Sequence, residues 1–499
     1  MLSGLAATAR LAAAGWRLLR QDALLPRELR PLYPAPLARL SRLAGLFAGP
    51  GGRRGRPGER LARSLEGLGP VAIKFGQLLS TRADIFGAEF AGDLARLKDR
   101  LAPFPTEVAL REVAEALGRP ADSLFASFGP PVAAASLAQA HEAWLHDGRR
   151  VAVKVLRPGM EQRVEADARV MSLAAALAET LAPDARRLEP RALAASVIDS
   201  VRRELDLRLE AAGADELGEI MARDGYMSAP AVVWDGVGRR VLTLEWAQGA
   251  PLSDPASLET PGLDRAALAT GLIRAFLAQA LDHGVFHADL HEGNLFVSAP
   301  DRIVAVDFGI VGRLGHDQRR YLAEILWGFL QRDYERVARI HFEAGYVPSR
   351  HAVGDFAQAL RAVGEPIFGR TARDVSMSRV LIQLFEITGQ FDMHLRPELV
   401  LLQKTMMTVE GVGRSIWPDL DIWAAADPVV RRWMTRELSP AARITRLGEQ
   451  AGRLLSRLNA LAEAPAPPPL EGRRGQGAAL IVACGALAAA LLALAASAL

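Results

Sequence analysis

Two carboxylates and a carboxamide stand at intervals that suit phosphoryl transfer. The stretch FHADLHEGNLF, residues 286–296, contains Asp289 and, five residues later, Asn294, and the tripeptide DFG begins thirteen residues further on at Asp307. Phosphoryl transfer or hydrolysis needs a carboxylate that orients the attacking hydroxyl or water, and oxygen ligands that hold magnesium against the phosphates. We therefore expect Asp289 to orient the nucleophile, and Asn294 and Asp307 to bind Mg²⁺. Short strands expected at 295–297 and 303–306, around a turn at 298–301, would bring Asn294 and Asp307 together.

A lysine upstream is positioned by a predicted β-hairpin. Residues 137–145 and 150–156 flank a turn that contains Asp-Gly, which favours a hairpin. In the second strand three alternating valines share one face, and Ala152 and Lys154 share the other. Ala152 leaves room for a flat base, and Lys154 can meet phosphate charge. Together with the H-x-D-x-x-x-x-N and DFG spacing, this VAVK segment matches the protein-kinase pattern.

The acidic stretch RRELDLRLEAAGADEL, residues 202–217, is predicted to form one helix. Glu204 and Glu210 are then about 120° apart around its axis, so that the helix can face two different cations. We expect Lys154 to be the partner of one of them and Lys74, in VAIKFGQ, the partner of the other. A run of solvated surface acids is the alternative interpretation.

Parts of the usual protein-kinase apparatus are missing. Residues 130–136, PPVAAAS, occupy the place of a glycine-rich loop, and alanine restricts φ so that this predicted loop cannot close over phosphates as glycine would. Ala288 follows His287 where protein kinases carry arginine, and no A-P-E motif follows DFG at the expected distance. A protein-serine substrate is therefore disfavoured.

Two other chemistries compete for the same residues. His283, His287 and His291 recur every four residues and could line one helical face as a metal site. Gly284 and Gly293 would interrupt that helix, and DFG would then have no role, so we favour the nucleotide site. A hydroxylase would need flavin, haem or iron, and the sequence offers no credible dinucleotide fingerprint.

Composition limits the cellular setting. The 499 residues are 50% hydrophobic, enough for two to four structural units, and 60 basic against 57 acidic residues give a net charge of +3. Residues 1–66 hold twelve arginines and four acids, which favours an anionic surface. Basic patches interleaved with aromatic residues are missing, so a membrane is a better candidate than nucleic acid.

Cysteine and lysine are both scarce. Cys484 is the only cysteine, which excludes an intrachain disulfide and a thiolate zinc cluster and suits a reducing compartment. Four of the 60 basic residues are lysine, at positions 74, 98, 154 and 404. In a chain that otherwise uses arginine, a lysine can mark a place where a compact ammonium is required.

Both ends of the chain suggest a membrane. Residues 478–499 are uncharged, and 22 residues at helical rise reach about 33 Å, enough to span a bilayer. Arg473 and Arg474 precede this segment and favour a cytoplasmic body; a buried alanine-rich helix is the alternative. At the other end, Arg10 and Arg17 leave too short an apolar run for a secretory signal. A helix lying flat on a membrane, an organelle transit peptide and an ordinary surface helix all fit there.

These motifs together resemble the UbiB family of atypical, kinase-like proteins, bacterial relatives of the mitochondrial coenzyme Q kinase-like proteins. The resemblance runs from about residue 55 to 420 and appears again in the C-terminal apolar segment. It is carried by LGPVAIKFGQLLSTR (68–82), AAAS (133–136), the lysine of VAVK, ELDLRLEAA (204–212), and HADLHEGN with DFG. The chain departs from the family at Leu290 and Glu292, where prolines are common, and at Lys98-Asp99, where Gln-Asp is common.

The resemblance implies roles for further residues. Lys154 would pair with Glu210, and Lys74 of a family-specific extension would reach into the cleft near Glu204 and Asp206, covering the place where a peptide would bind. The residues expected to line the nucleotide are Ala133, Ala134, Ala135, Ser136, Ala152, Lys154 and Glu245. The implied cofactors are ATP and Mg²⁺, and the implied activity is a weak, membrane-stimulated ATPase or kinase-like reaction in ubiquinone biosynthesis.

The predicted fold class is α+β, a bilobal protein-kinase-like fold with a helical N-terminal extension and a C-terminal transmembrane helix. The predicted organisation is a basic membrane-associated region (1–60), a helical extension (61–129), a small β-rich lobe with inserted helices (130–249), a helical lobe and tail (250–463), a Pro-rich linker (464–476) and a transmembrane helix (477–499).

The predicted function is a kinase-like ATPase at the cytoplasmic face of the inner membrane, and its catalytic candidates are Asp289, Lys154, Glu210, Lys74, Glu204 and Asp206. The expected partners are membrane lipid, polyprenylphenol-type ubiquinone precursors and ubiquinone-biosynthesis enzymes, with no nucleic acid. The alternative is a non-catalytic scaffold that presents lipid and uses nucleotide as a structural ligand. The sequence leaves open whether the chain forms a homodimer.

Overall fold

A computed structural model describes residues 2–24, 26–28, 35–49, 54–80, 87–94, 97, 102–181, 189–365, 390–393 and 397–437. The chain divides into two compact units, Met1–Met434 and Thr435–Leu499. The first unit contains a helical N-terminal part, a four-stranded sheet lobe and a helical lobe. In the second unit the described residues are 435–437.

Helices make up the described N-terminal part. They are α1 (Leu2–Arg20), α2 (Ala35–Leu46), α3 (Pro57–Glu66), α4 (Pro70–Ser80), α5 (Ala88–Leu94) and α6 (Thr106–Leu117). Arg60 of α3 is fully buried, and its guanidinium donates to the carboxylate of Glu28 at 2.9 and 2.6 Å and to the carbonyl oxygen of Asp22 at 3.3 Å. The bond from Arg60 lowers the pKa of Glu28 to about 2. This buried arginine fixes the N-terminal segment to α3.

The sheet lobe is an antiparallel sheet in the order β1-β2-β3-β4. Its strands are β1 (Phe125–Ala134), β2 (Ala138–Leu145), β3 (Arg150–Leu156) and β4 (Val241–Glu245). The hairpin predicted from the Asp-Gly turn is confirmed as β2 and β3. Val151, Val153 and Val155 are fully buried, whereas Ala152 and Lys154 face the other side of β3. The alternation of the sequence therefore sets the direction in which the lysine points.

The loop predicted over residues 130–136 is wrong for most of its length. β1 continues to Ala134, with Ala133 opposite Ala140 and Ala134 opposite Gln139. The φ restriction that prevents alanine from forming a flexible phosphate loop is compatible with extended backbone. The turn itself is short, and the amide of Ala135 donates to the carbonyl oxygen of Ala138 at 2.8 Å across it.

In the described residues between β3 and β4, three α-helices follow one another. They are α7 (Met160–Leu181), α8 (Pro190–Glu204) and α9 (Leu207–Asp224). The single helix predicted over 202–217 is wrong, because α8 ends at Glu204 and Asp206 caps α9. The backbone of Asp206 is extended, with φ −118° and ψ 90°, and its carboxylate accepts from the amide of Arg208 at 3.2 Å. Aspartate is a favoured residue at this position because it satisfies an amide that lacks a helical partner.

The helical lobe encloses the largest buried core and carries short strands on one side. Its helices are α10 (Arg265–Ala278), α11 (His316–Leu330), α12 (Tyr334–Glu343), α13 (Val353–Gly364), α14 (Pro397–Ile416) and α15 (Ile422–Glu437). Its strands are β5 (Ala250–Pro251), β6 (Val285–His287), β7 (Leu295–Ser298), β8 (Arg302–Ala305) and β9 (Val311–Arg313).

Two strand pairs bring the predicted site segments together. β7 and β8 form the hairpin expected around residues 298–301, with a cis peptide bond at Ala299-Pro300. β6 pairs with β9, where His287 lies opposite Val311, and the amide of Ala288 donates to the carbonyl oxygen of Ile310 at 3.0 Å. The stretch that holds Asp289 and Asn294 therefore lies beside the DFG tripeptide.

Within the described ranges, no helix combines the length and apolarity that a bilayer span requires. The predicted transmembrane helix at 477–499, the linker at 464–476 and Cys484 lie outside the described residues. Lys98-Asp99 lies outside them as well.

Candidate active site

Lys154 lies between two carboxylates from different parts of the fold. Its Nζ donates to Oε1 and Oε2 of Glu210 at 2.7 and 2.9 Å, and lies 3.4 Å from Oδ2 of Asp307. Lys154 comes from β3, Glu210 from the first turn of α9 and Asp307 from the DFG tripeptide. The structure thus forms the Lys154–Glu210 pair that the family resemblance implies, and adds Asp307 to it.

The charges of this cluster depend on one another. Burial opposes the charge of Lys154, but the carboxylates of Asp307 and Glu210 outweigh it and raise the pKa of the ammonium. The positive charge of Lys154 in turn lowers the pKa of Asp307. Burial raises the pKa of Glu210 to about 7, because Lys154 divides its charge between two carboxylates and offsets only part of the desolvation cost.

A buried histidine shapes the segment that carries Asp289. The amide of Asp289 donates to Nδ1 of His287 at 3.1 Å, so the proton of this ring is on Nε2, which lies 3.2 Å from the carbonyl oxygen of Val306. Burial lowers the pKa of His287 and so favours this neutral tautomer. His287 therefore ties Asp289 to the strand end that precedes Asp307.

Asn294 completes the same segment. Its Nδ2 donates to the carbonyl oxygen of Asp289 at 3.0 Å, and its side chain is buried. Because the amide nitrogen is used in this bond, the amide oxygen points the other way and can serve as a ligand. The backbone of Asn294 also accepts a bond from the amide of Val306 at 2.9 Å, one residue before Asp307.

Asp307 has a left-handed backbone conformation with φ 61°. Aspartate and asparagine are among the non-glycine residues that adopt this region most readily. The carboxylate, whose side chain is 50% exposed, accepts a weak bond from the amide of Gly309 at 3.4 Å. The turn therefore presents the carboxylate toward Lys154 and toward solvent.

The oxygen ligands of this site suit magnesium bound together with a nucleotide better than a metal ion bound by protein side chains alone. In the part of the chain that the structure describes, no group of three or more His, Cys, Asp or Glu side chains could hold a metal ion. Magnesium commonly uses one or two protein oxygens, the phosphates of its nucleotide and water. Asp307 and the amide oxygen of Asn294 can supply such a pair of oxygens.

The three histidines considered as a metal site have separate partners. Nε2 of His283 lies 3.0 Å from a carboxylate oxygen of Asp224. His287 bridges the amide of Asp289 and Val306, as described above. Nδ1 of His291 accepts from the amide of Gly293 at 3.0 Å.

The second lysine of the predicted site forms its own ion pair. Nζ of Lys74, from α4, contacts Oε1 of Glu204 at the end of α8. Asp206, two residues on, is held instead by the guanidinium of Arg208 at 2.8 and 2.7 Å. The structure therefore places Lys74 next to Glu204, whereas the carboxylate of Asp206 caps the N-terminus of α9. The catalytic roles assigned to these residues stay predictions.

Residues expected to line a nucleotide lie along the sheet lobe. Ala152 of β3 is opposite Leu244, and Glu245 ends β4, where it pairs with Arg149 at 3.2 Å. Ser136 is buried in the β1–β2 turn. The guanidinium of Arg157 donates to the carbonyl oxygen of Ala135 at 3.0 Å and holds that turn. Nucleotide contacts of these residues stay predictions.

The structure also adds a residue that no sequence motif assigns to the site. Nζ of Lys404, from α14, lies 3.6 Å from Oδ1 of Asp289. Its signal in the sequence is the scarcity of lysine: Lys74, Lys154 and Lys404 each face an acid of the candidate site. No spacing rule links residue 404 to residue 289, so the motifs alone could not make this assignment.

The fold and this set of side chains define an atypical kinase-like protein. The family model of the ABC1 atypical kinase-like domain matches residues 96–341, and that of the UbiB helical domain matches residues 360–421. The chain belongs to the UbiB family, as its similarity to curated proteins shows. It is 41% identical over 434 residues to "Probable protein kinase UbiB" of Marinobacter nauticus, covering 86% of this chain and 78% of that protein.

A second sequence relative and a solved structure are also similar to this chain. The protein of the same name from Pseudomonas aeruginosa (strain PAO1) is 40% identical over 427 residues, covering 83% of this chain and 80% of that protein. Among solved structures, the Rv3197–erythromycin complex from Mycobacterium tuberculosis has a TM-score of 0.52 at 24% identity, covering 71% of this chain and 90% of that one. The latter likeness supports the kinase-like fold alone.

Proposed function

We propose that this chain is a membrane-associated atypical kinase or ATPase that uses ATP and Mg²⁺ in support of ubiquinone biosynthesis. The observation that carries the proposal is the convergence of Lys154, Glu210 and Asp307, with Asp289 and Asn294 on the adjoining segment. A cation on a strand, fixed by a helix carboxylate and facing the DFG carboxylate, is the arrangement that kinases use to hold triphosphate and metal.

Each side chain has a distinct role in this proposal. Lys154 binds phosphate oxygens, and Glu210 fixes its position. Asp289, whose backbone is held by His287 and Asn294, orients the attacking hydroxyl or water. Asp307 and Asn294 hold magnesium, which when bound neutralises charge on the phosphates.

Membership of the UbiB family implies ubiquinone biosynthesis as the pathway. The contacts around the site limit the kinds of molecule that could accept the phosphoryl group. Lys74 and Glu204 form an ion pair between the N-terminal extension and α8, next to the helix that carries Glu210. We propose that this extension disfavours a peptide and that the protein acts on polyprenylphenol-type lipids or on ubiquinone-biosynthesis enzymes.

Exposed apolar residues near the N-terminus support the proposed membrane association. Trp16 of α1 is 50% exposed and contacts the ring of Phe47, which is 55% exposed. Leu43 and Leu46 of α2 are 59% and 78% exposed. Together with the arginines of this region, such a surface suits an anionic bilayer. We propose the inner membrane, with the body cytoplasmic and residues 477–499 as the anchor.

The proposal is tested by Asp307→Asn in the purified full-length chain. We expect this variant to lose magnesium-dependent ATP hydrolysis, measured as phosphate release with and without vesicles containing anionic lipid and a polyprenylphenol. Asp301→Asn, the same change at an exposed position of the β7–β8 turn, is the matched control and retains activity.

Two outcomes would contradict the proposal. Unchanged turnover in Asp307→Asn would remove the mechanism. A nucleotide-dependent rise in the melting temperature, without turnover in any vesicle, would support the alternative of a lipid-presenting scaffold.

A further inference from the structure

Helix α14 is held against the catalytic segment at more than one point. The buried hydroxyl of Thr405 lies 3.1 Å from the carbonyl oxygen of Ala288, directly before Asp289, and 2.9 Å from the carbonyl oxygen of Leu401 in its own helix, so its single proton serves one or the other. Three turns further along, the hydroxyl of Ser415 donates to Oε1 of Glu292 at 2.7 Å. These contacts place the helix next to the segment, and Lys404, one residue before Thr405, lies beside Asp289.

We propose that Lys404 contacts the transferred phosphoryl group and thereby completes the active site from the helical domain. This inference rests on the proposed function. It assigns to Lys404 a direct contact with the terminal phosphate of the nucleotide, made from α14, whereas Lys154 contacts the nucleotide from β3.

The geometry beside Asp289 supports this assignment. Nζ of Lys404 lies 3.6 Å from Oδ1, and Nε2 of His291 lies 3.7 Å from Oδ2. The oxygen of a nucleophile that hydrogen bonds to this carboxylate would lie about 3 Å from Oδ1 or Oδ2. The phosphorus atom that this nucleophile attacks would lie about 3 to 3.5 Å from the nucleophile oxygen. An ammonium on a flexible stem that already lies next to Oδ1 can reach the oxygens of that phosphorus.

The partial exposure of Lys404 and the choice of lysine at this position indicate that Lys404 contacts a ligand, and that its ion pair with Asp289 does not serve mainly to stabilise the fold. The side chain of Lys404 is 41% exposed and that of Asp289 is 30% exposed, and ion pairs in such settings contribute little to stability. The helix already packs against the segment at this point through the buried Thr405. Lysine, with a compact ammonium and three donors, suits a phosphate that changes its position during transfer.

The test compares binding of ADP with binding of ADP and beryllium fluoride, which imitates the terminal phosphate without any nucleophile. Full-length wild type, Lys404→Ala, Lys404→Arg and the adjacent control Gln403→Ala are titrated in the presence of Mg²⁺, and kcat for ATP hydrolysis is measured in parallel. We expect beryllium fluoride to tighten ADP binding in wild type and in Gln403→Ala. The gain is the ratio of the Kd for ADP alone to the Kd for ADP with beryllium fluoride. In Lys404→Ala we expect this ratio to fall at least tenfold, while the Kd for ADP alone stays within twofold of the wild-type value.

The remaining outcomes separate this inference from the proposed function. Loss of a single cation at a developing charge lowers kcat by roughly 100-fold, and Lys404→Arg should recover part of that loss. If Lys404→Ala lowers kcat but retains the full beryllium fluoride gain, Lys404 acts only through Asp289 and the inference is wrong. If the wild type binds no nucleotide, the proposed function itself fails.

Asp289→Asn provides a second check. In this variant Lys404 no longer faces a charged carboxylate. Addition of Lys404→Ala to Asp289→Asn should still reduce the beryllium fluoride gain, because the contact is with the phosphate. An unchanged gain in the double variant would contradict the inference.

Discussion

The Lys154–Glu210 pair should respond unequally to removal of its two members. The side chain of Glu210 is 8% exposed, whereas that of Lys154 is 27% exposed and has Asp307 as a second partner at 3.4 Å. Lys154→Met leaves Glu210 buried beside a second carboxylate, and breaking a buried pair in this way costs about 3 kcal/mol. Glu210→Gln leaves the lysine paired with Asp307 and one acceptor in place, and costs about 1 kcal/mol.

The cost of Lys154→Met should also depend on pH. Burial raises the pKa of Glu210 to about 7 in the native chain, and loss of the ammonium raises it further. When the pKa of a carboxyl group is higher in the folded chain than in the unfolded chain, the group stabilises the fold at pH values below its unfolded pKa. This contribution is lost as the pH rises through the folded pKa. The cost of Lys154→Met should therefore grow by about 1 kcal/mol between pH 6 and pH 8.

The assay is urea unfolding of the full-length chain in detergent, followed by tryptophan fluorescence at both pH values. The double variant Lys154→Met/Glu210→Gln should recover about 2 kcal/mol of the loss in Lys154→Met, because the unpaired buried carboxylate is gone. A cost of Glu210→Gln equal to or above that of Lys154→Met would refute the reasoning. So would a cost of Lys154→Met that does not change with pH.

Two further predictions concern the framework. Burial lowers the pKa of His341 to about 4, and its Nδ1 is 2.7 Å from the carbonyl oxygen of Val337. The unfolded chain therefore binds the proton first, and stability should fall by about 2 kcal/mol from pH 7 to pH 5. His341→Gln should remove this part of the pH dependence in urea titrations, and an identical pH dependence in both chains would contradict it. Asp206→Ala should cost about 1 kcal/mol by loss of the α9 cap, whereas Asp206→Asn should cost little. Equal unfolding midpoints for Asp206→Ala and wild type would show that the cap is not needed.

The sequence predicted the elements whose signals are local. Alternating valines and an Asp-Gly turn indicated the β2–β3 hairpin, and the turn at 298–301 indicated β7 and β8. Period-two alternation predicts the face of the strand on which Lys154 lies, and the match to the protein-kinase motif pattern predicts that Lys154 and Asp307 belong to one site.

The errors have equally local causes. The spacing of acids over 202–217 continues across the break at Asp206, so periodicity alone joined α8 and α9 into one helix. The cap of Asp206 was the signal that could have divided them. At 130–134, proline and alanine favour a loop, although strand pairing with β2 accommodates them.

The position of α14 could not be predicted in this way. Its contacts with the catalytic segment depend on a buried hydroxyl at Thr405 and on packing of the helical lobe. Such contacts join distant parts of the chain and leave no repeating pattern in the sequence.

The scarcity of lysine has a practical consequence for chemical labelling. Three of the four ε-amino groups, those of Lys74, Lys154 and Lys404, face acids of the candidate site, and Lys98 lies outside the described residues. Acylating reagents attack the neutral amine, so the raised pKa of Lys154 protects it, and among the three lysines of the candidate site the more exposed Lys404 reacts first. The many arginines of the surface do not react with such reagents. Mass spectrometry of the acylated peptide that contains Lys404 would therefore report on occupancy of the cleft, and it separates this peptide from those with Lys98 and the N-terminal amine.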